Sequence, residues 1–383
     1  MSNPSFKSCV IVTCFSESQP GYLDFSYRIQ SLFKHYQVTI LSQDVLSQPE
    51  LLVHGVHYQA LGRRSGKFGW LSYLWKCASV IRTLKPDLAV LLHSGAAPVS
   101  LLIGKIPSCL YWNEHPTNLN HYPENFSPVR HALAGATHWL VFLGARHANL
   151  VMPIGEEHRD DLLENGCSSE RVRMIYMGVA DTFSGCGVKE GDRHGKPLEL
   201  IYVGTVNAPR GRDVMLEGMA EVMLARIDAH LTIVGAWEDQ LSYCRTKIAQ
   251  LGIERHVRVL GRVTGNEIPR LLASADIGIC LWEDKLWWRF NPPTKLFEYL
   301  AAGLPVLASD IRTHKRYIED WKNGFIFEYS AKGLARAIAE LAINQEKLPK
   351  MKSIAFNSGQ QYLWSKIEPD FIDAVKKVEN SWP

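Results

Sequence analysis

With 383 residues the chain is long for a single core, and 46% hydrophobic against 21% charged residues describes a soluble globular protein of two domains. A formal net charge of +3 is too mild for a nucleic-acid partner, which calls for a stronger basic excess or a concentrated patch. The eight cysteines are spread from Cys9 to Cys280 without a C-x-x-C pair and read as reduced, mostly buried thiols of a cytoplasmic protein.

The chain starts with "MSNPSFKSCVIVTCF", which lacks a basic segment followed by a long apolar run and a cleavage site, so it reads as a first strand and not as a signal peptide. "SCVIVTCF", "QVTILSQ", "DLAVLLHS", "SCLYWNE" and "HWLVFLG" follow as strand candidates, separated by loops or amphipathic segments. The longest apolar region, residues 88–103, is broken by His93, Ser94, Gly95 and Pro98, which argues against a membrane span. After "RVRMIYMGVADTF" comes "SGCGVKEGDRHGKP", rich in Gly and charge as linkers are. The strand pattern restarts with "LELIYVGT", "HLTIVGAW", "HVRVLGRV", "DIGICLWED", "LPVLASD" and "GFIFEY", and a capping box from Thr264 to Glu267 opens the helix before Asp276. Alternating strands and helices predict an α/β protein of two doubly wound, Rossmann-like domains facing a cleft. The expected boundaries are 1–180, 181–352 and a helical tail, 353–383, crossing back to the N-terminal domain. Open parallel sheets bind ligands beyond the carboxyl ends of their strands, so function is sought there.

The motifs exclude several chemistries. No G-x-G-x-x-G follows the first strand and no G-x-x-x-x-G-K-[ST] occurs, so dinucleotide and P-loop sites lack their phosphate loop. Neither H-E-x-x-H, D-x-D nor G-x-S-x-G is present, and the His54/His57 pair has nothing near it to complete a metal site.

The segment "NPPTKLFEYLAAGLPVLASD" carries one anomaly. Pro292 and Pro293 suit a first helical turn, Gly303 a left-handed C′ position, and Pro305 forbids continuation, while Leu296, Phe297 and Leu300 face a core. Lys295 then lies against the positive end of the helix dipole, which disfavours it by roughly 0.3–1 kcal/mol. Either Glu298, at i+3, pairs with it on the surface, or the N-terminal amides and the ammonium together form a site for a ligand phosphate.

"YVGTVNAPRGRDVMLEG", "PTKLFEYLAAGLPVLASD" and "NGFIFE" together resemble the C-terminal domain of GT-B glycosyltransferases, especially glycosyltransferase family 4, in order and spacing across residues 198–329. "VRMIYMGVADTF" resembles the family's interdomain crossing, and the N-terminal half, the acceptor side, matches more loosely. The resemblance implies a nucleoside diphosphate sugar as co-substrate, with no other cofactor and no metal, and a glycan or lipid-linked acceptor. The family's arginine after the "YVG" strand falls on Thr205 and its lysine on Arg210. In its E-x₇-E pattern the first acid falls on Phe290 and the second on Glu298, so Lys295 is expected to supply the charge missing at Thr205. The implied catalytic side chains are Lys295, Arg210 and His115. The implied donor site takes in Gly204, Thr205, Asn291, Thr294, Glu298 and Gly21, the last in the loop after the first strand. His115 reads equally as a satisfied structural histidine, and Glu114 as a base only in an inverting enzyme; retention is the family's usual course. A sugar-nucleotide epimerase of the same fold and a non-enzymatic two-domain sugar-binding protein are the rival readings.

Residues 61–86 hold six basic residues and no acidic one, with Phe68, Trp70, Tyr73 and Trp75 among them. Trp70, Leu74, Cys77, Ile81 and Leu84 form a helical core stripe. Arg63, Arg64, Lys67 and Phe68 form a loop suited to anionic lipid headgroups, which adds peripheral contact with the inner membrane face to the cytoplasmic expectation.

Overall fold

The structure, a computed structural model, describes residues 6–14, 22–47, 52–62, 66–117, 127–188 and 195–381. The chain divides into two compact units: residues 1–178 with 365–383, and residues 179–364.

In the first unit, β1 (Ser8–Val12), β2 (Gln37–Ser42), β3 (His57–Ala60), β4 (Leu88–Leu91), β5 (Ser108–Trp112) and β6 (Leu150–Pro153) form one sheet in the order β3-β2-β1-β4-β5-β6. Every pairing is parallel, so each strand needs a crossover, and the inner strands are buried on both faces. The crossovers include α1 (Tyr22–Phe33), α2 (Gly66–Leu84), α3 (Pro128–His147) and α4 (Glu156–Glu164). Val10, Val12, Leu91 and Trp112 pack with Tyr73, Leu74 and Cys77 of α2 and with Val141, Phe142 and Ala145 of α3 in one core, so α2 and α3 cover the same sheet face.

The second unit repeats the plan. Strands β7 (Leu198–Val203), β8 (Ala229–Ala236), β9 (Val257–Gly261), β10 (Ile277–Cys280), β11 (Val306–Ser309) and β12 (Gly324–Phe327) run parallel in the order β12-β11-β10-β7-β8-β9. Helices α5 (Arg212–Leu224), α6 (Glu238–Leu251), α7 (Ile268–Leu272), α8 (Thr294–Ala302), α9 (Arg312–Tyr317), α10 (Ala331–Ile343) and α11 (Leu348–Gly359) connect and flank them. The Thr264 capping box forms, with Glu267 Oε2 accepting from Thr264 N at 2.9 Å.

Three local expectations are corrected. "HWLVFLG" is not a strand: it lies within α3, and the strand follows it as β6. Pro292 and Pro293 precede the first turn of α8, with Pro293 extended at its N-cap. Lys67 and Phe68 belong to α2 and not to a loop, while Arg63 and Arg64 lie outside the described residues. The tail also divides differently from the 353 expected. α11 packs on α8 so closely that a Cβ on Gly359 would lie 2.2 Å from Ala301 N, and only from Ser365 does the chain count with the first unit. There α12 (Trp364–Ser381) brings Phe371 to the buried Arg28, whose guanidinium lies 5.4 Å from that ring and 3.9 Å from Tyr111. The two crossing strands are laced together by Val179 N to Tyr362 O at 2.9 Å and Trp364 N to Val179 O at 2.8 Å.

Candidate functional site

α8 begins where proline releases the chain from extended backbone and ends at Gly303, whose φ of +81° is the left-handed C′ geometry. Leu296, Phe297, Tyr299 and Leu300 bury the inner face, and Lys295 is drawn in with them, only 8% exposed. Its Nζ sits 3.6 Å from the centroid of the Tyr202 ring and has no hydrogen-bond partner. The surface ion pair with Glu298 is therefore not what forms. A Cβ on Gly204 would lie 3.0 Å from that Nζ, so the ammonium would have to give way, and the φ of +135° at Gly204 is a backbone conformation that favours glycine.

Burial pushes the Lys295 ammonium down to about 7. The Cys280 thiol and Glu298 pull the other way, while the Arg210 guanidinium adds to the lowering. Glu298, one turn further along α8 and half-buried, is pushed up to about 7 by burial, with Lys295 opposing. Two cations thus crowd a desolvated pocket, an arrangement that an anion would relieve.

Arg210 ends a short turn between β7 and α5, where its N–H donates to Asn207 Oδ1 at 3.1 Å. Its guanidinium lies 4.7 Å from the Trp282 ring and 5.2 Å from the Trp288 ring, which stack on each other at 5.2 Å. Trp282 N–H donates to Ser309 Oγ at 2.9 Å and Thr313 Oγ1 donates to Trp288 O at 2.8 Å, fixing this platform from β11 and α9. His314, fully buried behind it, donates from Nδ1 to Ser309 O at 2.9 Å and is pushed down to about 4 by burial, so it adds no third cation near neutrality. Neither the tryptophan pair nor Tyr202 was singled out from sequence, because their relation to Arg210 and Lys295 depends on chain folding across several strands.

Gly204 and Thr205 leave the end of β7, with Gly204 N–H donating to Val234 O at 2.9 Å and Thr205 O accepting from Tyr202 Oη at 2.7 Å. Asn291 and Thr294 lead into α8, both half-buried. β7 and β10 are neighbours from which the sheet grows in opposite directions, so Gly204, Thr205, Arg210 and Lys295 gather at the switch point of a doubly wound sheet, beyond the strands' carboxyl ends. Phe290 offers no carboxylate, and Asp284, just upstream, is held by Arg289 at 2.8 and 2.9 Å.

The other candidates belong to the first unit. His115 is buried, with Nε2 3.2 Å from Asp161 Oδ2 and Nδ1 2.6 Å from Thr117 Oγ1. Thr117 N–H also donates to Nδ1 at 3.3 Å, which fits the tautomer protonated on Nε2. Nδ1 is thus hydrogen-bonded within the unit, and Nε2 lies beside the Asp161 carboxylate. Glu114 lies with Oε2 3.7 Å from His93 Nε2. Gly21 is outside the described residues.

Residues 188–358 match the family model described as glycosyl transferases group 1. That match lies within the second unit. Spore coat protein SA of Bacillus subtilis is 24% identical to the chain over 54% of it and 59% of the relative. The putative colanic acid biosynthesis glycosyltransferase WcaL of Escherichia coli is 28% identical over 78% of the chain and 70% of the relative. The chain spans between about half and three-fifths of the length of the first curated relatives it matches. Among solved structures, Anabaena HepE in complex with UDP superposes with a TM-score of 0.72 at 17% identity, covering 97% of this chain and 100% of that one. The fold is GT-B, and Lys295 lies within the stretch that the family model matches.

Proposed function

We propose that the chain is a glycosyltransferase that takes a sugar from a nucleoside diphosphate sugar held by the second unit and passes it to a glycan or lipid-linked acceptor. The observation that carries this is the buried, unpartnered Lys295 ammonium in the first turn of α8, with the Arg210 charge acting on it. Supporting it, HepE has been solved with UDP and with UDP-glucose, and WcaL is named as a putative colanic acid biosynthesis glycosyltransferase.

Cleavage between the sugar and the diphosphate leaves negative charge on the departing phosphates. A guanidinium, an ammonium and the free amides of a helix N-terminus, preset at that point in a dry pocket, stabilise it more than the ground state. Glu298 in its ionised form accepts hydrogen bonds from two ribose hydroxyls. Two protein cations make a divalent metal dispensable in this scheme, and retention at the anomeric carbon is the expected course.

The test is a thermal-shift screen against nucleotides and nucleotide sugars, followed by kinetics with the donor found. Lys295→Ala is expected to lower kcat by about 10²–10³, as loss of a transition-state charge contact does. Glu298→Ala is expected to weaken nucleotide affinity by about tenfold, as loss of a hydrogen bond to a charged group does. Turnover is expected to survive excess chelator. Unaltered kinetics in both variants would remove the assignment, and activity abolished by chelator and restored by magnesium would remove metal independence.

A further inference from the structure

Lys295 Nζ has a counterpart in its own unit. Among the described residues of 179–364, two buried side-chain polar atoms lack a hydrogen-bond partner, and the second is Trp282 Nε1. A buried donor without an acceptor is costly, so each one in a folded protein calls for an explanation. An indole N–H can only donate; what it lacks is a lone pair on a neighbouring atom.

The acceptors around Trp282 are already engaged. The residue lies two positions past the carboxyl end of β10 and is 4% exposed. Its own carbonyl accepts from Ser309 Oγ at 2.9 Å, Ser309 O accepts from His314 Nδ1 at 2.9 Å, and Trp288 O accepts from Thr313 Oγ1 at 2.8 Å. His314 Nε2, the acceptor of that tautomer, faces the Cys280 thiol at 3.5 Å. The carboxylates that come next in the chain, Glu283 and Asp284, are paired with Lys285 at 3.0 Å and with Arg289 at 2.8 Å. What the ring does meet is positive charge. The Arg210 guanidinium lies 4.7 Å from its centroid, and both Arg210 and Lys295 act on the Cys280 thiol at the end of β10. An ammonium, a guanidinium and an indole N–H gathered beyond one strand end are all served by an anion that presents several oxygens.

We infer that Trp282 is a ligand-binding residue whose indole N–H donates to a phosphate oxygen of the nucleoside diphosphate, while its ring holds the Arg210 guanidinium that binds the same group. A neutral donor adds a directional contact without a third cation to repel the other two. The inference rests on the donor-site reading and adds to it a side chain that carries no charge.

The experiment uses the full chain labelled with nitrogen-15 tryptophan, whose 11 indole N–H groups give one peak each. Trp282→Phe keeps a ring beside Arg210 and Trp288 but removes the N–H, and so identifies the Trp282 peak; Trp282→Tyr identifies it independently. UDP, dTDP, GDP and ADP are each titrated beside the matching nucleoside, which has the base and sugar but no phosphate. The diphosphate that binds is expected to move the Trp282 peak downfield, as a new hydrogen bond to an anionic oxygen does, and its nucleoside to leave the peak in place. Trp282→Phe is expected to weaken that diphosphate by about tenfold or more and to leave nucleoside affinity unchanged. Equal losses for diphosphate and nucleoside would make Trp282 a structural residue and overturn the inference. A Trp282 peak that stays in place while the diphosphate binds would also overturn it, and either result would leave the Lys295 site intact. Wild type that binds none of the four diphosphates would overturn the donor site and this inference with it.

Discussion

Lys295 is held where folding alone would not put it. A lysine with its pKa depressed from 10.5 to about 7 binds fewer protons folded than unfolded between those values, so its cost to stability grows as pH falls through that window and is complete below it. Glu298, raised from 4.5 to about 7, has the opposite slope, costing more as pH rises from 4.5 to 7. The unliganded pocket is therefore under greatest electrostatic penalty near pH 7. Lys295→Met is expected to stabilise the ligand-free protein at pH 7 by about 1–3 kcal/mol, seen as a rise of several degrees in Tm, while removing turnover. A fall in Tm would mean that the Tyr202 ring compensates the buried charge. The lysine was legible in the sequence because it contradicts the helix dipole within a recognisable helix. What surrounds it was not legible: Tyr202, Trp282 and Trp288 reach the pocket only through strand order, and His115 proves to be tied to Asp161, far along the chain.

The β7-to-α5 turn and the start of α8 act as one device, with the turn bringing Arg210 and the missing side chain of Gly204 leaving room for the Lys295 ammonium. Gly204→Ala is expected to cost on the order of 1–2 kcal/mol from the positive φ alone. It should also lower kcat by about tenfold or more, because a displacement of an ångström at a preorganised charge weakens it. A variant with normal turnover would show that the ammonium's position is not critical. At this scale the strands of the second unit were readable from their short apolar runs bounded by turn residues. "HWLVFLG" was misread because a continuous apolar run fits a buried strand and a buried helix equally. Outward apolar residues of α3, the exposed Trp139 among them, broke the helical pattern of alternating faces. The edge strand β3, "HYQA", has too little apolar character to stand out.

At the scale of the molecule, the second unit is one continuous stretch and the first is two. Residues 179–364, produced alone, are expected to fold and to show a thermal shift with a nucleoside diphosphate, because every residue of the Lys295 pocket lies within them and their two ends are hydrogen-bonded to each other. An aggregated or nucleotide-insensitive product would show that the pocket needs the first unit. Two sheets and a restart near residue 180 were legible from the repeated strand pattern and the Gly-rich charged linker. The point at which the tail leaves the second unit was not, since α11 and α12 follow one another with similar amphipathic sequences and only packing separates them.

The return of α12 also sets an order of events during synthesis. Arg28 is buried against Phe371, and Ser31 and Lys34 each donate to Glu368 Oε1 at 2.6 Å, so the stretch 1–178 relies on α12, made after the second unit, to complete its packing. The inserted unit is one continuous stretch, and all of it has been translated once Trp364 is added. On the ribosome, the second unit can reach its final form while the first still waits for α12.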